Sequence, residues 1–249
     1  MLRGNWLNLK INGHAAWPIE ETTISFCNCQ ILLMPAKKET EQSAHVNLSK
    51  TTKTNAFTAV NRFLSILSWC DGVPMEIADG FGFSGSPVPV AIPRSHARTV
   101  GSCIFSYPFH RGVEPDPKVS LALALYREAR TINSVAYAFL GYYKILNIWW
   151  SDRTRGKRNE LVEGIRDILP KLTDPYVLRR VNDLSQGEDD IPRYLHESCR
   201  CAVAHANVKP TMDPDSWTDI KRLAADVEII RGVAEHLIED KGVSRSILG

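Results

Sequence analysis

The hydrophobic period changes along this 249-residue chain, and that change fixes what it can fold into. Between residues 5 and 50 the pattern is short and extended. Apolar and polar residues alternate through Thr23-Ile24-Ser25-Phe26-Cys27-Asn28-Cys29 and then run into Ile31-Leu32-Leu33, as half-buried strands do. Residues 54–69 shift to a spacing of three and four, with Phe57, Val60, Phe63, Leu64 and Leu67 in step. That spacing predicts one helix, closed by Asp71-Gly72 and packed on the sheet. Residues 72–117 are rich in Gly and Pro and offer only a short strand at 99–105, and Glu114-Pro115-Asp116-Pro117 reads as a domain boundary. From there the period is helical, predicting segments at 119–150, 159–169, 175–184, 191–207 and 215–239. The expected fold class is α+β, with an N-terminal mixed α/β domain over 1–116 and an all-α helical bundle over 117–249. The helix over 119–150, with Leu121, Leu125, Ile132, Val135, Phe139, Tyr143 and Leu146 on one stripe, is the expected central support.

A formal net charge of +2 is too mild to announce nucleic-acid binding, so any such binding needs a local patch. No apolar run reaches the length of a membrane span, and the start Met1-Leu2-Arg3-Gly4 lacks the pattern of a signal peptide. A soluble cytoplasmic protein is expected. The six cysteines are sparse and irregular, which predicts free thiols.

The most specific chemistry sits late in the helical half, in Glu197-Ser198-Cys199-Arg200-Cys201-Ala202-Val203-Ala204-His205-Ala206-Asn207. On a regular helix Leu195, Cys199, Ala202, Val203 and Ala206 share an arc roughly 100° wide, which is a core-facing stripe. Arg200 and His205 then lie about 140° apart and point away from that core, flanking the small residues Cys201 and Ala204. Small side chains on an outward arc permit close approach of a substrate or of a second copy of the same helix. A guanidinium that clamps a phosphate and an imidazole that moves a proton suffice to cleave RNA without a metal.

In this arrangement the helical half resembles the HEPN domains, helical bundles that carry an Arg followed after four to six residues by His. Leu121-Ala122-Leu123-Ala124-Leu125-Tyr126-Arg127-Glu128-Ala129-Arg130 and Tyr137-Ala138-Phe139-Leu140-Gly141-Tyr142-Tyr143-Lys144-Ile145-Leu146 are similar to the opening helix of the Apea-like and MauJ-like group. The resemblance implies a HEPN-like bundle and a metal-independent endoribonuclease that leaves a 2′,3′-cyclic phosphate. It also implies a homodimer paired through the Arg200–His205 helix face and a role in toxin, defence or RNA-processing systems. Arg200 and His205 are the only residues to which it assigns catalysis. Active members commonly place Asn, Asp or His directly after the Arg, where this chain has Cys201. That departure supports an alternative, a catalytically silent adaptor that binds RNA, nucleotide or protein.

Weaker RNA-binding candidates are Arg153, Arg155, Lys157 and Arg158, a basic link after Trp149-Trp150, and His196, one turn before Arg200. A basic link also complements a helix dipole, and paired tryptophans also serve as core. The stretch Gly80-Phe81-Gly82-Phe83-Ser84-Gly85 matches a dinucleotide glycine pattern, but Pro87 and Pro89 follow where a helix must begin. Cys199 and Cys201 point about 200° apart on a helix and cannot share one ion, and Cys27 and Cys29 on a strand lack a second pair. No metal and no cofactor is expected.

Overall fold

The computed structural model describes residues 5–91, 103–104, 116–151, 154–155, 158–205 and 211–244. Their architecture is α+β, an antiparallel-sheet region followed by a helical one. The chain divides into two compact units, one running to Thr131 and one spanning Ile132–Ser244.

In the first unit, strands β1 (Trp6–Gly13), β2 (Trp17–Pro18), β3 (Thr22–Phe26), β4 (Cys29–Met34) and β5 (Ser43–Asn47) precede helix α1 (Lys53–Asp71), strand β6 (Met75–Ser84), strand β7 (Cys103–Ile104) and helix α2 (Pro117–Thr131). The main sheet is antiparallel in the order β3-β4-β5-β1-β6, and β2 and β7 form a separate parallel pair. Cys27 and Asn28, at φ 48° and 56°, make the two-residue turn between β3 and β4, so the two thiols of Cys27-Asn28-Cys29 do not lie along one strand. Thr52 caps α1 by accepting from the Asn55 N–H, and Gly72 ends it in the left-handed region at φ 64°. The apolar face of α1 meets the sheet through Phe63, whose ring lies 6.1 Å from Phe26 and 6.4 Å from Trp17.

The region expected to hold only a short strand at 99–105 contains β6, ten residues long and paired with β1 at the sheet edge. Met75, Ile77, Phe81 and Phe83 alternate there, and the glycines that read as breakers are accommodated within the strand. Gly80 and Gly82 therefore lie on a strand rather than before a helix. Of the expected strand itself, only Cys103 and Ile104 fall among the described residues.

The expected single helix over 119–150 is two helices, α2 and then α3 (Val135–Leu146). Asp116 starts α2 by accepting from the Lys118 and Val119 N–H groups, with Pro117 at the first helical position. The helix stops at Thr131, and Ser134 caps α3 by accepting from the Tyr137 N–H. Helix α2 packs on α1, its Tyr126 edge-on to Trp69 at 5.1 Å. The division between units thus falls after Thr131, against the expected 116/117.

The second unit continues with a hairpin of β8 (Thr154–Arg155) and β9 (Arg158–Asn159), then α4 (Glu160–Ile168), a single 3-10 turn over Leu169–Lys171 and α5 (Pro175–Leu184). Helix α6 (Ile191–Tyr194) runs into a π-helical segment, Leu195–Cys201, then into α7 (Ala202–Ala204), and α8 (Trp217–Asp240) closes the unit. Buried Leu223, Ile230, Val233, Ala234 and Leu237 of α8 and Phe139, Tyr143 and Leu146 of α3 form much of its core.

Trp150 follows α3 and lies on Gly164 of α4, where an added Cβ would come within 2.6 Å of the indole ring. Gly164→Ala gains about 1 kcal/mol of helix propensity, but so close an approach to a rigid ring places the overpacking cost in the upper part of the usual range, about 2–3 kcal/mol. The expected outcome in urea denaturation is a net loss of about 1 kcal/mol or more. A variant as stable as the parent would mean that Trp150 does not rest there.

Candidate functional site

The segment that carries Arg200 and His205 starts where Asp190 accepts from the Arg193 N–H and Pro192 occupies the first turn. It is helical through Ala204, and His205 leaves it with extended backbone, φ −135° and ψ 111°. The His205 N–H donates to the Cys201 carbonyl at 3.0 Å. The expected helix over 191–207 therefore ends at 204, and Ala206 and Asn207 lie outside the described residues.

Leu195, Cys199 and Ala202 are buried as the sequence predicts. Arg200, Cys201 and Val203 are half-buried, while Glu197, Ala204 and His205 are exposed. The 140° separation does not carry over, because π winding places more residues in each turn and the extended backbone at His205 takes its ring off the helical wheel. Within the segment the Arg200 Nη1 lies 3.7 Å from the Cys201 Sγ.

The π segment is braced from α8 by a charge cluster that sequence reasoning missed. Asp226 is 0 % exposed, and its Oδ1 accepts from Arg180 through Nε at 2.8 Å and Nη2 at 2.7 Å. Its Oδ2 accepts from the Tyr194 hydroxyl at 2.7 Å and from the Cys199 thiol at 3.5 Å, with Arg222 Nη1 at 3.7 Å. Arg222 also donates to the Tyr194 oxygen at 3.0 Å and to the Ser198 carbonyl at 3.3 Å. Burial, reinforced by Asp226, pushes the Cys199 thiol up to about 12, so it stays protonated and donates. Burial, with Cys199 beside it, likewise raises the Tyr194 hydroxyl. The available signal was an acid at position 226 among Leu223, Val227 and Ile230, with Arg222 one turn before it.

His196 is half-buried, and both ring nitrogens have partners within the unit. Asn159 Oδ1 accepts from the Leu161 and Val162 N–H groups, which turns its amide nitrogen toward His196 Nε2 at 3.4 Å. Nε2 therefore accepts, and Nδ1–H donates to the Tyr143 oxygen at 2.7 Å. The ring ties the π segment to α3 and to the start of α4.

Among the basic candidates, Arg155 and Arg158 sit opposite each other in the β8–β9 pairing, while Arg153 and Lys157 lie outside the described residues. Trp149 and Trp150 are half-buried. Among the described residues no three His, Cys, Asp or Glu side chains gather as metal ligands would. None of the described helices is long and apolar enough to cross a membrane.

A family model described as methylamine utilization protein MauJ matches residues 122–239, a little under half of the chain, including Arg200, His205 and the Asp226 cluster. The chain is similar to that family over this stretch. No curated protein and no solved structure matches it.

Proposed function

We propose that the helical unit is a HEPN-type endoribonuclease that cuts RNA without a metal through Arg200 and His205. The observation that carries this reading is the position of the pair at the end of one helix. An exposed imidazole follows a half-buried guanidinium, on a turn held by the Asp226 cluster. The MauJ match spans the same stretch.

Arg200 holds the scissile phosphate and stabilises the charge that builds on it. His205 takes the proton of a ribose 2′-hydroxyl, whose oxygen attacks phosphorus as the bond to the 5′-oxygen breaks. The products are a 2′,3′-cyclic phosphate and a 5′-hydroxyl. A homodimer paired through this helix face supplies a second His205 to protonate the leaving oxygen. Arg153, Arg155, Lys157 and Arg158 add RNA contacts in this reading, whereas His196, expected to join them, is committed to Tyr143 and Asn159, and the protein acts in the cytoplasm as a toxin, defence or RNA-processing effector.

Labelled single-stranded RNA incubated with the protein in EDTA tests the mechanism. Cleavage with cyclic-phosphate ends is expected, falling about a hundred-fold or more in Arg200→Ala and in His205→Ala. Undiminished cleavage by His205→Ala would overturn the assignment.

The contact of Arg200 with the Cys201 thiol favours a second reading, a silent RNA-, nucleotide- or protein-binding adaptor, because a thiol is a weak hydrogen-bonding partner. RNA binding that weakens with salt, without cleavage, is its signature.

A further inference from the structure

The first unit carries an open groove of about 610 Å³ that the reading above does not use. One wall is a polar stripe along α1, in which Thr54, Thr58, Asn61 and Ser65 recur at helical spacing. Lys53 and Arg62 flank the stripe, and Arg127 reaches the groove from α2. Its described lining therefore holds three cations and no carboxylate. Arg127 is fixed in place, Nε donating to Ser65 Oγ at 3.1 Å and Nη1 to the Met75 carbonyl at 3.2 Å. These bonds use two of its five N–H donors.

An aromatic cluster adjoins the cations. The Lys53 Nζ lies 4.7 Å from the ring centre of Phe81, 5.2 Å from Phe83 and 5.8 Å from Phe57. The three rings meet edge to face, Phe57 on Phe81 and Phe81 on Phe83. Phe81 remains 49 % exposed on the edge strand β6. Glu76 and Glu128 act on Arg127 from outside this lining, while the described lining itself carries only cations and so attracts an anion, and the exposed ring beside Lys53 offers a planar ligand a stacking surface.

We propose that this groove binds a nucleotide, its base stacked on Phe81 beside Lys53 and its phosphate held by Arg62 and Arg127. The ligand is a free mononucleotide or one nucleotide of a single strand, which share this chemistry. The proposal does not rest on cleavage by the helical unit.

The full-length protein carrying Arg200→Ala and His205→Ala, which removes those side chains from RNA binding, is titrated with a fluorescein-labelled oligodeoxyuridylate. Its lack of a 2′-hydroxyl blocks the proposed cleavage route. Salt-sensitive binding is expected, weakened about tenfold by Arg62→Glu, about fivefold by Phe81→Ala, and little by Arg62→Lys. Arg62 and Phe81 are exposed, so these variants leave the core intact. Competition by AMP identifies a mononucleotide site, and its failure while the oligonucleotide binds identifies a strand site. Both support the groove. Failure of the parent to bind either probe, binding unchanged in both Arg62→Glu and Phe81→Ala, or inorganic phosphate competing as well as AMP would each overturn the proposal.

Discussion

Asp226→Ala is expected to cost the helical unit about 3–5 kcal/mol, because it leaves two guanidiniums around a buried vacancy with no counter-charge. Four side chains lose a partner at once, those of Arg180, Tyr194, Cys199 and Arg222. The Arg180 and Arg222 side chains keep 23 % and 27 % of their exposure, so each can turn partly to water, while the Tyr194 hydroxyl and the Cys199 thiol sit in a largely buried setting. Asp226→Asn separates charge from shape. Its amide retains one oxygen acceptor but not the negative charge, so it should lose less than the alanine variant and more than a surface substitution. Urea denaturation at neutral pH measures both. A loss below about 1 kcal/mol for Asp226→Ala would show that the cluster is not the brace of this unit.

The cluster also links stability to the proposed site. Arg222 binds the Ser198 carbonyl, Cys199 binds Asp226, and Arg200 is the next residue along the chain. Loosening α8 at position 226 therefore releases the turn that presents Arg200, so cleavage should fall in Asp226→Asn even at temperatures where the unit stays folded.

Much of the fold was legible because local signals agreed with the hydrophobic period. Thr52 and Gly72 bound α1, and α5 occupies the expected 175–184 because Asp174 caps it and Pro175 opens it. Legibility failed where the period continued across a change of structure. Ile132 and Val135 keep the stripe in register between α2 and α3, so only Asn133-Ser134 signalled the break. The spacing of Leu195, Cys199 and Ala202 is the same whether a helix is α or π, and the π segment was invisible for that reason. β6 was hidden by its glycines. Arg200 and His205 were found by residue type and spacing, but their setting depends on Asp226, twenty-one positions beyond His205, whose partners only the fold brings together.

His45 shows how alternation misleads in the sheet, and it makes the first unit sensitive to acid. In β5 the polar Ser43, His45 and Asn47 alternate with the apolar Ala44 and Val46, yet Ser43 and His45 are 0 % exposed. Val88 donates its N–H to Asn8 Oδ1 at 3.1 Å, which fixes that atom as an acceptor. His45 Nδ1–H must then donate to it at 2.6 Å, leaving Nε2 to accept from the Ser43 hydroxyl at 2.8 Å. The ring is held neutral, and burial lowers its pKa from 6.5 to about 4. Above pH 6.5 neither the folded nor the unfolded chain protonates it and its contribution is complete. As pH falls from 6.5 toward 4, the unfolded chain takes up a proton that the folded one refuses, and about 3 kcal/mol of stability is lost. His45→Gln removes the titration while keeping a donor and an acceptor, and carboxylates that titrate in both proteins cancel when the two are compared. In urea denaturation the advantage of the parent over His45→Gln should shrink by about 2 kcal/mol between pH 7 and pH 5. Parallel pH profiles would mean that His45 charges freely in the folded sheet, which the bond from Val88 to Asn8 and the absence of solvent exposure oppose.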